Sequence, residues 1–336
     1  MRKVLIDMPV EASALERLRS LPDTHVRLIE PAEESRPIPA DIIADVHLLF
    51  CTFPPANIAD MKCLEVIQIS TAGYGQLYNH GLVEKGVRAC NALGIYDVPI
   101  AEWNLAMMVN LARNLRQMIR NQDAQIWDRS AEFQREIRGM TVGIWGYGGI
   151  GRETARLAKN LGMTVHVITR NGITRRDNTF RLPGVGDPEG VLPDRVFLAG
   201  QELAFLSNLD FLILAMPLTK TTEGTIGEPE LRALPPTAFV LNPARGPLIK
   251  EEALLEALRE GWIAGAALDT HYYYPLPAGH PLWRFPNVIL TPHISGSTLA
   301  PHAVERSWEI FVQNVERYLS GRTLLNELSP AQLNGE

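Results

Sequence analysis

The spacing Gly146-Tyr147-Gly148-Gly149-Ile150-Gly151 is the first feature of the chain that implies chemistry. A short apolar run at 142–145 precedes it and reads as a buried strand. A helical pattern follows at once, with Ile150, Ala155, Ala158 and Leu161 expected on one face. Another β-rich run, 164–168, comes next. Strand, glycine turn, helix and strand form the unit that sets a pyrophosphate on a helix N-terminus. Gly146 would allow the tight turn, Gly148 the approach of backbone to phosphate, and Gly151 the packing of helix on strand. The plainer reading is a tight βα turn that binds nothing.

Three polar residues stand at the ends of later strand-like runs. Arg245 follows the run at 238–244, Asp269 closes 263–269, and His293 follows 288–292. In a parallel sheet those ends share one edge, the edge that carries the glycine turn. Each alone has a bland reading: a solvated arginine, a turn cap, a core histidine. Their joint placement near a bound nucleotide points to a reactive site, with a fixed cation beside a group that exchanges a proton near neutral pH.

The elements needed to position these residues alternate along the chain. Runs at 3–7, 47–52, 64–70 and 87–91 read as strands, and 11–20 and 41–45 as helices, which predicts a parallel sheet covered by helices. The run at 64–70 ends in Thr71-Ala72-Gly73-Tyr74-Gly75, where free backbone N–H groups could hold a carboxylate; an ordinary turn is the alternative. Residues 97–99 look like a domain crossing. A long helix is expected from there to about 120, with 105, 108, 109, 111 and 112 facing the core. The polar segment 121–139, with Trp127 and Phe133, reads as either a surface connection or a piece that packs on a second subunit. Strands are expected at 210–215, 238–244, 263–269 and 288–292, a helix at 251–260 closed by Gly261, and a final helix at about 301–319. The Pro- and Gly-rich stretch 171–195 is longer than a typical connection.

Composition narrows the classes. A chain of 336 residues is too long for one ordinary core, so two domains are expected. It is 46% hydrophobic and 21% charged, as a soluble globular protein is. The net charge of −6 argues against a nucleic-acid partner. No apolar run reaches the length needed to span a bilayer, and the first residues go straight into a strand pattern without a signal-peptide core. Cys51, Cys63 and Cys90 have no metal-ligand spacing, so no metal is expected and reduced thiols in a cytoplasmic protein are the simplest reading.

Taken together, the motifs resemble those of the D-isomer-specific 2-hydroxyacid dehydrogenases. The resemblance lies in Asn242-Pro243-Ala244-Arg245-Gly246, in Ala267-Leu268-Asp269, in the run Asn287 to Ile294 that contains His293, in 142–151, in 214–219, and in Pro281-Leu282-Trp283. It covers essentially the whole chain. It implies an α/β fold of two doubly wound parallel-sheet domains with a cleft between them. A flavodoxin-like substrate domain would comprise 1–98 plus 297–336, and a Rossmann NAD(P)-binding domain 99–296. It implies an oxidoreductase acting on a small 2-oxo acid, such as glyoxylate or hydroxypyruvate. Arg245 would clamp the carboxylate, His293 would carry the proton, and Asp269 would orient the nicotinamide carboxamide. Gly146, Gly148, Gly149, Ile150, Gly151, Thr169, Arg170, Met216, Pro217, Thr222, Ala244, Asp269, His293 and Gly296 would line the cofactor. Ala72, Gly73 and Tyr74, with Arg245, would hold the substrate. Two alternatives share the fold: a dinucleotide-sensing, corepressor-like binding protein, and a dehydrogenase of a phosphonate-bearing or other oxyanion substrate.

The chain departs from the family pattern at Tyr274, where a Glu that pairs with the catalytic histidine normally precedes the proline. Tyr274 is therefore expected beside His293, tuning it without a counter-charge. The end of the run 164–168 continues as Thr169-Arg170-Asn171, with no acid at the position that binds the ribose hydroxyls in an NAD site. NADP(H) is expected to be preferred, with NAD(H) possible, and the likeness implies a homodimer.

Overall fold

In the computed structural model of the chain, residues 1–32, 34–130, 134–296 and 300–335 are described. The chain divides into two compact units. One comprises Met1–Tyr96, Asp177–Leu182 and Ser297–Glu336, and the other Asp97–Arg176 and Pro183–Gly296. The short piece Asp177–Leu182, taken from the irregular stretch, is built into the first unit although its flanks belong to the second.

The first unit is a five-stranded parallel sheet in the order β2-β1-β3-β4-β5. Its strands are β1 (Arg2–Asp7), β2 (Thr24–Leu28), β3 (Leu48–Cys51), β4 (Val66–Ile69) and β5 (Arg88–Cys90), with helices α1 (Ala12–Ser20) and α2 (Ala40–Ile43) between them. Alternate residues sort onto the two faces. Leu5, Leu49 and Ile67 pack in one core, while Val4, Ile6, Leu48, Phe50 and Val66 pack in the other. That alternation is the period of a strand, and burial on both faces makes the runs nearly all apolar.

The second unit opens with α3 (Asp97–Ala112) and α4 (Leu115–Asp123). The single helix expected there is broken at Asn114, whose left-handed backbone (φ 47°) ends one helix and starts the next. Of the residues expected to face the core, Met108, Leu111 and Ala112 are buried, Leu105 is half-buried and Val109 is exposed; Asp97, Ala101 and Asn104 complete the buried stripe. α3 packs on α5 (Gly149–Asn160), whose facing surface is small and polar, and Asn104 donates to Thr154 Oγ1 there at 3.1 Å. On α5, Ala155 and Ala158 are buried as expected, whereas Ile150 is half-exposed and Leu161 exposed.

Seven parallel strands follow in the order β12-β11-β10-β9-β6-β7-β8. They are β6 (Thr141–Trp145), β7 (Thr164–Thr169), β8 (Arg195–Leu198), β9 (Phe211–Leu214), β10 (Phe239–Asn242), β11 (Gly265–Leu268) and β12 (Val288–Leu290). β6 leads on one side to β7 and on the other to β9, so strand order reverses at the glycine turn, the place where ligands bind in open α/β sheets. Helices α6 (Glu202–Leu206), α7 (Glu228–Ala233) and α8 (Glu251–Glu260) complete the unit. α9 (Pro301–Leu319) returns to the first unit, where Trp308, Phe311, Val312 and Val315 are buried against β1 and β3 residues. A last short helix, α10 (Pro330–Leu333), closes the chain.

Candidate functional site

The glycine turn is built as its sequence requires. Gly146 has φ 101°, and a Cβ there would lie 2.8 Å from the Ala215 carbonyl oxygen. A Cβ at Gly151 would come within 2.4 Å of the Gly146 carbonyl oxygen and 3.2 Å of Ile144, so this glycine allows helix to meet strand. At Gly149 a Cβ would collide with the Asp97 carboxylate, 2.0 Å away. Gly148 is different. It is exposed, caps the start of α5, and a Cβ there would touch nothing within 4 Å. Among the described residues nothing demands glycine at 148, which is what a backbone approached from outside by a phosphate needs. The turn fits a dinucleotide pyrophosphate.

The other expected cofactor residues lie on the same carboxyl edge of this sheet. Thr169 ends β7, with its hydroxyl buried and unpartnered among the described residues, and Arg170 next to it is exposed. Met216 is buried and Pro217 exposed just beyond β9; Thr222 Oγ1 donates to the Pro217 carbonyl at 2.7 Å and holds that loop. Ala244 and Gly296 are half-buried beyond β10 and β12.

Arg245, Asp269 and His293 follow three adjacent strands, whose ends pair as Asn242↔Leu268↔Leu290. Asn242 shapes the first turn: its side chain accepts from Ala244 N at 3.1 Å and Arg245 N at 3.2 Å, and donates to the Arg245 carbonyl at 2.8 Å. Gly246 must lack a side chain, because a Cβ would sit 2.5 Å from the His271 backbone. The turn that carries Arg245 is thereby seated against residues 271 and 272.

Asp269 is fully buried, and its carboxylate is used inside the protein. Oδ1 accepts from Thr291 Oγ1 at 2.6 Å and Ile294 N at 2.9 Å, and Oδ2 accepts from Ser295 N at 3.0 Å. These bonds fix the loop that carries His293. That loop needs fixing, because His293 has φ 56°, a region that costs a side-chain-bearing residue about 1–3 kcal/mol and persists only where the surroundings impose it.

His293 is exposed, yet the protein around its ring holds its pKa below the ordinary 6.5. Loss of water is the largest cause and the Arg245 charge the next; Asp269 opposes them and His271 adds a smaller depression. Tyr274 lies beside it, with ring centroids 5.5 Å apart. Among the described residues no hydrogen bond joins Tyr274 to His293. The Tyr274 hydroxyl accepts from His271 N at 3.3 Å, so Tyr274 meets His293 by its ring.

Sequence reasoning passed over two residues that the structure brings forward. His271 is buried, and its Nε2 donates to the Thr291 carbonyl at 2.8 Å; its place two residues beyond Asp269 was the available signal. Arg152, directly after Gly151, is buried with its guanidinium 5.0 Å from the Tyr147 ring centre, and donates to the carbonyls of Tyr147, Thr174, Asp187 and Pro188. It holds Thr174, Asp187 and Pro188 against the glycine turn. Tyr147 helps by donating to Asp187 Oδ2 at 2.7 Å.

In the first unit, the Ala72 carbonyl accepts from Asn91 Nδ2 and the Gly73 carbonyl from Thr71 Oγ1, both at 2.7 Å. Among the described residues no hydrogen bond uses the N–H groups of Ala72, Gly73 or Tyr74. Tyr74 packs with the core below β4 and meets Tyr78 edge-on. The three cysteines are free thiols, with only Cys63 exposed. Among the described residues no cluster of His, Cys, Asp or Glu could hold a metal, and no helix is long and apolar enough to cross a membrane.

The sequence model described as "D-isomer specific 2-hydroxyacid dehydrogenase, NAD binding domain" matches residues 105–295. The chain belongs to the D-isomer specific 2-hydroxyacid dehydrogenase family. A glyoxylate reductase of Thermofilum pendens is 32% identical over 277 residues, covering 81% of this chain and 76% of the relative. A glyoxylate reductase of Thermococcus gammatolerans is 28% identical over 355 residues, covering 99% and 96%. The crystal structure of a family protein from Aeromonas salmonicida superposes with a TM-score of 0.79 at 26% identity, covering 98% of this chain and 99% of that one. The two parallel-sheet α/β units are those of this family, and the protein is an oxidoreductase acting on the hydroxyl group of 2-hydroxyacids.

Proposed function

We propose that the protein reduces a small 2-oxo acid, such as glyoxylate or hydroxypyruvate, with NADPH as the preferred cofactor. The observation that carries this is the placement of Arg245 and His293 beyond β10 and β12, on either side of β11, on the edge that also bears a glycine turn open to a pyrophosphate. The nicotinamide supplies a hydride to the carbonyl carbon when bound. Arg245 offers its planar donor fork to the carboxylate and polarises the carbonyl. His293 gives the carbonyl oxygen its proton, and takes it back in oxidation. Asp269 keeps the His293 loop in place, and Tyr274 covers the imidazole without adding charge. The open N–H groups of Ala72, Gly73 and Tyr74 are donors of the kind that bind a carboxylate.

The cofactor preference rests on the end of β7, where Thr169 and Arg170 can donate to a 2′-phosphate and the run Thr169-Arg170-Asn171 carries no acid. A homodimer in the cytoplasm is the proposed state of the protein. Exposed Leu115, Ile119, Ile126 and Trp127 on and after α4 give that association an apolar surface; Phe133 lies outside the described residues. A panel of 2-oxo acids with each cofactor, followed by nicotinamide absorbance, tests the activity. A protein that binds dinucleotide but turns over none of them is a sensor, and the proposal fails.

A further inference from the structure

We propose that His271 is the positioning residue for His293: its ring N–H and its backbone N–H hold the two pieces of chain that flank the catalytic imidazole. The inference rests on His293 acting as the acid of the proposed reaction.

The ring holds one flank. A carbonyl can only accept, so the 2.8 Å contact to the Thr291 carbonyl places a proton on His271 Nε2. The same carbonyl accepts the His293 N–H at 3.1 Å. It belongs to the peptide bond that enters Pro292, whose ring locks φ and restricts the residue before it. The segment from Thr291 to His293 is therefore stiff. Fixing the plane of that carbonyl fixes where the left-handed His293 backbone starts, and so where its imidazole points.

The backbone of His271 holds the other flank. Its N–H reaches the Tyr274 hydroxyl at 3.3 Å, and Tyr274 lays its ring against His293. The Gly246 turn, which seats Arg245, packs on the carbonyl side of the same residue. One buried residue thus touches the support of all three side chains.

The identity of the side chain also points to its donor. In the neutral ring that carries its proton on Nε2, Nδ1 is an acceptor, and Nδ1 is buried with no partner among the described residues. An unpaired buried acceptor is unfavourable, and an apolar side chain would fill the same space without it. The histidine is accounted for by the bond that Nε2 makes.

Two variants separate a tether from a space-filler. The amide of His271→Gln reaches about as far as Nε2, whereas that of His271→Asn stops near Nδ1. His271→Asn should lower kcat about 100-fold, the scale of a 1 Å misplacement, with KM for the 2-oxo acid and Kd for the dinucleotide within about threefold. His271→Gln should recover to within about tenfold of the parent. Equal losses in the two variants, or a parental kcat in His271→Asn, would overturn the inference. The crystal structure of His271→Asn decides without turnover: the His293 backbone leaves the left-handed region or its ring turns from Tyr274, and an unchanged His293 overturns the proposal. A parent protein that turns over no 2-oxo acid instead overturns the proposed function.

Discussion

The Asp269 carbonyl accepts the His293 N–H at 2.7 Å, and the Asp269 carboxylate accepts the next two N–H groups of the chain, Ile294 and Ser295. One residue thereby holds three successive peptide units, in a loop whose first member has a strained backbone. Replacing the carboxylate by an amide turns one acceptor into a donor that faces another donor. Asp269→Asn should cost about 2 kcal/mol of unfolding free energy, the scale of a charge-assisted hydrogen bond. It should also lower kcat more than it raises KM. Urea unfolding together with steady-state kinetics checks both, and a variant with parental kcat would show that the loop does not need the carboxylate.

The glycines give a paired prediction. Gly151→Ala forces a Cβ to within 2.4 Å of a carbonyl oxygen and should destabilise the fold by about 1–3 kcal/mol, as overpacking does. Gly148→Ala meets open space at φ −78°, so thermal stability should be kept. Dinucleotide affinity should instead fall, by about tenfold if the backbone approach there is worth one good hydrogen bond. Calorimetric binding and melting curves on the two variants should show opposite patterns. Loss of stability without loss of affinity at 148 contradicts the assignment.

How much of this was legible before the structure depends on where each signal comes from. β6, β9, β10 and β11 are central strands buried on both faces, so their apolar runs stand out. β2 and β8 are edge strands with mostly exposed residues, Thr24–Leu28 and Arg195–Leu198; β2 carries no such run, and that of β8 is only Val196 to Leu198. The stripe of α3 is legible in part: Met108, Leu111 and Ala112 are buried as their spacing predicts, while Asp97 and Asn104 are buried because the partner α5 offers small and polar atoms. Arg245, Asp269 and His293 were findable because parallel strands bring their ends to one edge. The inward turn of Asp269 and the part played by His271 were not, since both depend on hydrogen bonds to a loop more than 19 residues away.

Arg170 decides the cofactor prediction. It is exposed at the end of β7, where a 2′-phosphate would be met. Arg170→Ala should weaken NADPH binding about tenfold, the loss of one charge-assisted pair, and leave NADH unaffected. The ratio of kcat/KM for the two cofactors measures this. A parent enzyme that uses both equally, or prefers NADH, would remove the basis for the preference.

The surface around Trp127 tests the dimer. Trp127 is 89% exposed, far beyond what a monomer gains by keeping an indole in water, and Ile119 and Ile126 are at least half exposed nearby in sequence. Sedimentation at micromolar concentration should find two chains together, and Trp127→Asp or Ile119→Glu should shift the population toward monomer. A monomeric parent refutes the association.

The last prediction concerns the pH dependence set around His293. Reduction delivers a proton, so it needs the imidazolium, whose fraction falls as pH rises through the His293 pKa. Burial and Arg245 depress that pKa, with His271 adding and only Asp269 opposing. The basic limb of kcat/KM for reduction should therefore lie below the ordinary histidine value, and oxidation, which needs the neutral ring, should persist to correspondingly lower pH. Tyr274 offers a ring at 5.5 Å and no charge. Tyr274→Glu would put a carboxylate in reach of the imidazole, favour its charged form and move the limb upward by about one unit. Tyr274→Phe removes only a hydroxyl that accepts from the His271 backbone and should leave the limb where it is. If the limb stays fixed in a folded, active Tyr274→Glu enzyme, position 274 does not govern the proton on His293.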